Sequence, residues 1–134
     1  MSIITTQTYE EVFLGYKRTF LLTCDIRLYQ NAHTPADTDS AGAYTEANFD
    51  GYASQPVSDW GAVFLNLAGK AETDTGVHTW IDTGSVTPNT IYGWYITDPG
   101  GALVMADINP AGGFLMDSAG KTYSVQLKYT STKE

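Results

Sequence analysis

Apolar and polar side chains alternate along two parts of this chain. From Phe20 to Leu28 the residues at even positions are apolar, and most of those at odd positions are polar. From Thr122 to Tyr129 the odd positions are apolar and the even positions are polar. A period of two is the pattern of a β-strand with one face in a core and the other in water. The pattern therefore predicts two half-buried strands, with Leu22, Ile26 and Leu28 in the core.

Short apolar segments separated by turn residues predict further strands between these two. The Asp98-Pro99-Gly100-Gly101 segment predicts a type II turn that closes a hairpin, with the positive φ at Gly100. Thr73–Gly76 predicts a break between strands. Together the pattern predicts an all-β fold, an antiparallel β-sandwich or β-barrel of seven to nine short strands. The further predicted strands are Val57–Trp60, Ala62–Leu67, Val77–Asp82, Ile91–Thr97, Ala102–Ile108 and Phe114–Met116.

The first part of the chain differs from the rest. Thr8–Glu11 matches a capping box and Gly15 suits a helix end, which predicts one or two helical turns at most. A second short turn of helix is predicted at Thr45–Phe49. Residues 1–16 are interpreted as an N-terminal arm or as a first edge segment, and residues 17–134 as a single β domain.

Charge and composition narrow the function classes. The chain has 134 residues, a net charge of −8 and a single cysteine. Clustered basic residues are needed to bind phosphates, so the charge disfavours nucleic acids and anionic membranes as partners. Cys24 lies in an apolar register and is predicted to be a small buried side chain. The N-terminus lacks the pattern of a secretory signal, so we expect synthesis in a cytoplasm.

No catalytic constellation is recognisable in the sequence. His33 and His78 have no nucleophile motif beside them, and the chain has no G-x-S-x-G element. Asp37–Gly42 partly resembles a calcium loop, but Ala41 and Asn48 stand where two ligands are needed. We therefore predict a protein that is not an enzyme, with no catalytic residues, no metal site and no cofactor.

Two sets of residues are candidates for binding. The N-terminal segment carries apolar residues ahead of the first clear strand, which is unusual for a disordered tail and predicts a partner-binding segment. Its candidate residues are Ile3, Ile4, Tyr9, Val12, Phe13 and Leu14. His78 and Trp80 alternate on one strand face and are a candidate aromatic surface, as in a carbohydrate- or receptor-binding module.

Four segments carry a resemblance to a known class of proteins. They are Asp25–Asn31, Thr34-Pro35, Tyr44–Ala53 and Ile91–Tyr95. This set resembles a pattern in short proteins encoded by tailed bacteriophages, which are small virion components. The resemblance implies a virion structural protein, made in the host cytoplasm, that acts as a capsid decoration or cement protein on the outer surface of the head. Its implied partners are the major capsid protein or other virion proteins, with a homo-oligomer on the particle. A tail or fibre component is the alternative within this class.

Overall fold

The structure, a computed structural model, describes residues 6–84 and 86–131. This part of the chain forms one α-helix, nine β-strands and a short 3-10 helix at Ala41–Ala43. The fold is mostly β with one helix, which confirms a β-rich class, and nine strands fall within the predicted seven to nine. The predicted strand at Val57–Trp60 does not form. The helix and strands are α1 (Gln7–Leu21), β1 (Asp25–Tyr29), β2 (Gln55–Pro56), β3 (Phe64–Leu65), β4 (Ala71–Ile81), β5 (Asn89–Ile91), β6 (Gly93–Thr97), β7 (Leu103–Ile108), β8 (Phe114–Met116) and β9 (Thr122–Thr130).

The strands form three antiparallel sheets. The largest has the order β2-β1-β6-β7, the second β3-β4-β9, and the smallest pairs β5 with β8. Over the described residues none of the sheets closes on itself, so the barrel alternative is wrong. The main hydrophobic core receives side chains from the two larger sheets, among them Ile26 and Ile96 from one and Trp80 and Leu127 from the other.

The helix replaces the first half of the predicted Phe20–Leu28 strand. Helix α1 runs for 15 residues to Leu21, and β1 begins only at Asp25. The helix begins after Thr6, whose side chain accepts a hydrogen bond from the Tyr9 backbone N–H, so Thr8 is not the cap. Gly15 lies inside the helix rather than at its end. The expectation of at most two helical turns is therefore wrong.

The predicted burial holds where β1 forms and fails where the helix continues. Cys24, Ile26 and Leu28 are buried as predicted. Phe20 is 47% exposed and Leu21 only 2%, which is the reverse of the strand pattern. In a helix, residues seven apart share a face, and Leu21 shares one with the buried Leu14.

A tyrosine cluster covers the other face of the largest sheet. The Tyr44 ring stacks on Tyr95 at 5.0 Å between centroids and meets the edge of Tyr29, also at 5.0 Å. All three side chains are buried. Tyr44 arrives from the long connection between β1 and β2, so this polar segment packs as a layer on the sheet. No helix forms at Thr45–Phe49, and that prediction is wrong.

Two turn predictions are corrected in detail. The β6–β7 hairpin forms, but the positive φ lies at Gly101 rather than Gly100. Since the Gly101 N–H donates to the Asp98 carbonyl, the turn is a type I turn followed by a glycine bulge. The Thr73–Gly76 segment does not break the chain into two strands; it forms a bulge inside the 11-residue strand β4.

Candidate partner-binding surface

Helix α1 is fixed to the protein by its buried side and by two basic residues. Leu14 and Leu21 face the core, together with the buried Glu10. The Arg18 guanidinium donates to the carbonyl oxygens of Trp60 (2.8 Å) and Gly61 (2.6 Å), in the segment that leads to β3. On the other side, the Lys17 ammonium lies 5.5 Å from the centre of the Tyr129 ring on β9. These contacts hold the helix in one orientation on the sheet.

The opposite side of α1 carries a row of large apolar residues in water, which we call the α1 stripe. It consists of Tyr9, Val12, Phe13, Tyr16 and Phe20, which are between 41% and 71% exposed. Tyr9, Phe13, Tyr16 and Phe20 follow the i, i+4, i+7, i+11 spacing of one helix face. The rings of Tyr9 and Phe13 lie 6.3 Å apart, and the spacing of three or four residues makes Phe13, Tyr16 and Phe20 neighbours on the helix surface.

The contacts of neighbouring residues show where the stripe lies on the fold. Successive helix residues are about 100° apart, which puts Phe13 and Phe20 on the Lys17 side of the helix, away from Arg18. Lys17 contacts β9, whereas Arg18 contacts the segment before β3. Helix α1 packs against β4, and the α1 stripe therefore flanks β9, the edge strand of the three-stranded sheet, on the Lys17 side of the helix.

The predicted N-terminal binding residues divide into three groups. Tyr9, Val12 and Phe13 belong to the stripe. Leu14 is only 1% exposed and packs inward, so its assignment as a binding residue is wrong. Ile3 and Ile4 lie outside the described residues. The alternating pattern does not identify Tyr16 and Phe20 as binding residues, because it places Phe20 in a strand; the helical spacing from Tyr9 is the signal that identifies both.

The second candidate surface, His78 and Trp80, is not a surface. Trp80 is 3% exposed, and its indole N–H donates to the Ala53 carbonyl oxygen at 2.8 Å. The imidazole of His78 is buried between the Gln55 amide oxygen and the Asp59 carboxylate, each 2.9 Å from a ring nitrogen. Both residues lie on the core side of β4, so the prediction of an exposed aromatic platform here is wrong.

The acidic loop with a partial resemblance to a calcium site is braced by its own side chains. One oxygen of the Asp39 carboxylate accepts from the Tyr44 hydroxyl (2.8 Å) and the Ala36 N–H (2.9 Å), and lies 2.7 Å from His33 Nε2. The His33 contact, followed by the Ala36 N–H, lowers the pKa of Asp39 below its ordinary value. The carboxylate thus ties this loop to the tyrosine cluster.

Among the described residues, the remaining polar groups do not form a recognisable reaction centre. Within residues 6–84 and 86–131, neither histidine forms a hydrogen bond with a serine, threonine or cysteine side chain. No group of three or more His, Cys, Asp or Glu side chains in these ranges is arranged to hold a metal ion. The helix of the described chain is too short and too polar to cross a membrane. The α1 stripe is accordingly the feature that most needs a functional explanation.

Comparison of the chain with family models, curated proteins and solved structures gives no match.

Proposed function

We propose that this chain is a structural protein of a tailed-bacteriophage virion, a capsid decoration or cement protein that binds the outer surface of the head shell. The observation that carries the proposal is the α1 stripe. Isolated apolar residues on a surface are ordinary, but a continuous exposed patch marks an interaction site. Five large apolar side chains on one face of one helix form such a patch.

The positions of the segments that resemble phage proteins support a structural role. Three of them meet in the fold, because Tyr29, Tyr44 and Tyr95 come one from each and pack together. A second contact joins two of these segments, since Arg27 pairs with the Glu46 carboxylate at 3.0 Å. The shared motif therefore builds the sheet and its covering loop. A motif of this kind has a structural role, which a virion component requires. The proposed binding surface, the α1 stripe, lies outside these segments.

The proposed architecture is a β-sandwich. Side chains from both larger sheets enter one core, as expected when two sheets pack face to face. Helix α1 packs against β4 at the side of this core and reaches β9 through Lys17. A rigid body of this kind can present the α1 stripe to the shell with little loss of conformational entropy, because the helix is already formed and anchored.

The stripe contains enough apolar surface for specific binding. Full burial of one Phe side chain contributes about 1.5–3 kcal/mol, and Phe13 is still 51% exposed. Burying its remainder would contribute about 1 kcal/mol. An Asp at this position would lose that contribution and would also place a charge in an apolar contact. Phe13→Asp should therefore weaken binding to the particle by about tenfold or more.

The test is localisation followed by a binding assay. Gold-labelled antibody against the chain should decorate the heads of assembled particles; label on tails would support the tail or fibre alternative instead. Particles stripped of the protein should then rebind the wild type but bind Phe13→Asp at least about tenfold less tightly. Leu67→Asp is the matched control, because Leu67 is fully exposed in the turn after β3 and outside the stripe. Equal binding by both variants would refute the role of the stripe.

A further inference from the structure

One edge of the three-stranded sheet differs from the other sheet edges in this protein. Edge strands are usually protected by being short, bulged or interrupted by proline. Strands β2 and β3 have two residues each, and β2 contains Pro56. Strand β7 is bulged, because Val104 is skipped in its pairing with β6. Strand β9 has nine residues, no proline and no glycine, and the bulge in its ladder lies on β4.

The backbone of β9 alternates between its partner and the open side. Leu127 donates its N–H to the Thr75 hydroxyl and Ser131 donates its N–H to the Ala71 carbonyl, so odd positions face β4. In an antiparallel ladder the residues between them must direct their N–H and C=O groups the other way. Within the described residues β9 is paired with β4 alone. The outward groups belong to Thr122, Ser124, Gln126, Lys128 and Thr130.

The sequence of β9 is nearly palindromic about Gln126. Reading outward from this residue, Val125 matches Leu127, Tyr123 matches Tyr129 and Thr122 matches Thr130. Ser124 and Lys128 occupy the remaining pair of matching positions; they differ in size, but both are polar. A second β9 placed antiparallel, with Gln126 opposite Gln126, would therefore meet apolar residues with apolar residues on the core side and polar with polar on the outer side.

We propose that β9 pairs antiparallel with β9 of a second copy of this chain, across a twofold axis at Gln126. Three strands from each copy would then form one continuous sheet. The outward residues of β9 are those that form hydrogen-bonded pairs in this register, so the backbone groups complement each other. Lys128 lies opposite Ser124, so the pairing places no like charges face to face across the strands. The same patch serves both copies, as a closed twofold dimer requires.

This dimer goes beyond the proposed role in the virion and does not depend on it. Because the α1 stripe flanks β9, the dimer would place one stripe from each copy beside the joined sheet. If the stripe binds a shell, the dimer would bind it at two points and gain avidity. The association itself is a property of the free protein and is measured without particles.

The first test uses a matched pair of variants at Ser124. In the dimer, residue 124 of each copy lies opposite Lys128 of the other copy. Ser124→Glu would therefore create two attractive Glu–Lys pairs, whereas Ser124→Lys would create two repulsive Lys–Lys pairs. Both variants lose the same Thr79–Ser124 hydroxyl contact of 2.9 Å, so their folded monomers are comparable. Sedimentation equilibrium should show a wild-type dimer, with a dissociation constant at least about tenfold lower for Ser124→Glu than for Ser124→Lys. A wild-type monomer at millimolar concentration, or equal constants for the variants, would overturn the proposal.

The second test fixes the register. Opposed residues of a hydrogen-bonded pair have Cα atoms about 5.5 Å apart, within the range of a disulfide. Gln126→Cys should therefore give a disulfide-linked dimer under mild oxidation. Lys128→Cys should not, because the two cysteines would be about 13 Å apart along the strands. The native Cys24 is buried, so the wild-type protein is the negative control for disulfide cross-linking. Cross-linking of Lys128→Cys in place of Gln126→Cys would refute this register.

Discussion

Truncation of Leu21 and of Phe20 separates the helix of the structure from the strand that the alternating pattern predicts. The strand would bury Phe20 and expose Leu21, whereas the helix leaves Phe20 47% exposed and Leu21 2% exposed. The two residues are neighbours in sequence, so local composition and distance from the chain end are the same for both. The order of the two destabilisations therefore reports directly on the secondary structure of this segment.

The magnitude follows from burial. Leu21→Ala removes three carbon atoms from the core, worth about 2.4 kcal/mol in transfer free energy at about 0.8 kcal/mol each. The cavity left behind raises the loss in free energy of unfolding to about 3–4 kcal/mol. Phe20→Ala removes a side chain that is about half in water and replaces it with a better helix former, so it should cost about 1 kcal/mol or less.

Urea denaturation followed by circular dichroism measures both values. With a slope of about 1–3 kcal/mol per molar urea, Leu21→Ala should lower the midpoint by about 1–4 M and Phe20→Ala by much less. If Phe20→Ala were the more damaging of the two, α1 would end before residue 20 and the strand interpretation would be restored. Measurements on dilute protein keep any association out of the comparison.

Two further predictions concern a pair of glycines and an aspartate. Gly93→Ala should lower the free energy of unfolding by about 1–3 kcal/mol, because a Cβ there would press on the Asp107 carbonyl oxygen and lie 2.7 Å from the Tyr29 ring. Gly15→Ala should raise it by about 0.5–1 kcal/mol, because the new methyl group has open space around it inside α1. Thermal unfolding checks both, and equal shifts would contradict the packing. Because the pKa of Asp39 is lowered in the folded protein, its carboxylate stabilises the fold at pH values above the ordinary aspartate pKa. This stabilisation is lost as the pH falls through the pKa of Asp39 in the folded protein. Asp39→Asn should therefore be less stable than wild type at pH 7, with the difference in melting temperature narrowing below about pH 4; a difference independent of pH would exclude the proposed ionic role.

The β-rich fold class could be predicted from the sequence, because most strands carry a local signal. The last strand alternates over its whole length, and the Asp98–Gly101 turn is marked by proline and glycine. The sequence pattern does not reveal the full helix, because Phe20, Leu22, Cys24 and Ile26 alternate across the boundary between α1 and β1. The alternation runs through three different local structures: Phe20 is on the exposed face of α1, Leu22 is its C-cap, and Cys24 precedes β1.

The candidate site was predicted in part for the same reason. The excess of apolar residues in the N-terminal segment was visible, but which of them face water depends on the helix phase. Leu14 and Phe13 are equally apolar in the sequence, and only the packing of α1 on the sheet separates them. Trp80 was misassigned because His78 and Asp82 beside it suggest a polar face, whereas both are buried with hydrogen-bond partners. The partners of His78, Gln55 and Asp59, come from a distant segment and leave no local pattern.

The connection between β1 and β2 has a consequence for how this protein can diverge and be engineered. Polar loops usually tolerate insertions, because few of their atoms are needed by the rest of the molecule. Here Tyr44 and Asp39 hold the loop against the largest sheet, and Tyr44 is only 6% exposed. A foreign peptide inserted at Ser40 would have to displace this packed loop, whereas the same peptide between Pro99 and Gly100 would extend a hairpin tip in open solvent. Sequence change is therefore least restricted at the short turn and most restricted along the long loop, the opposite of what loop length alone suggests.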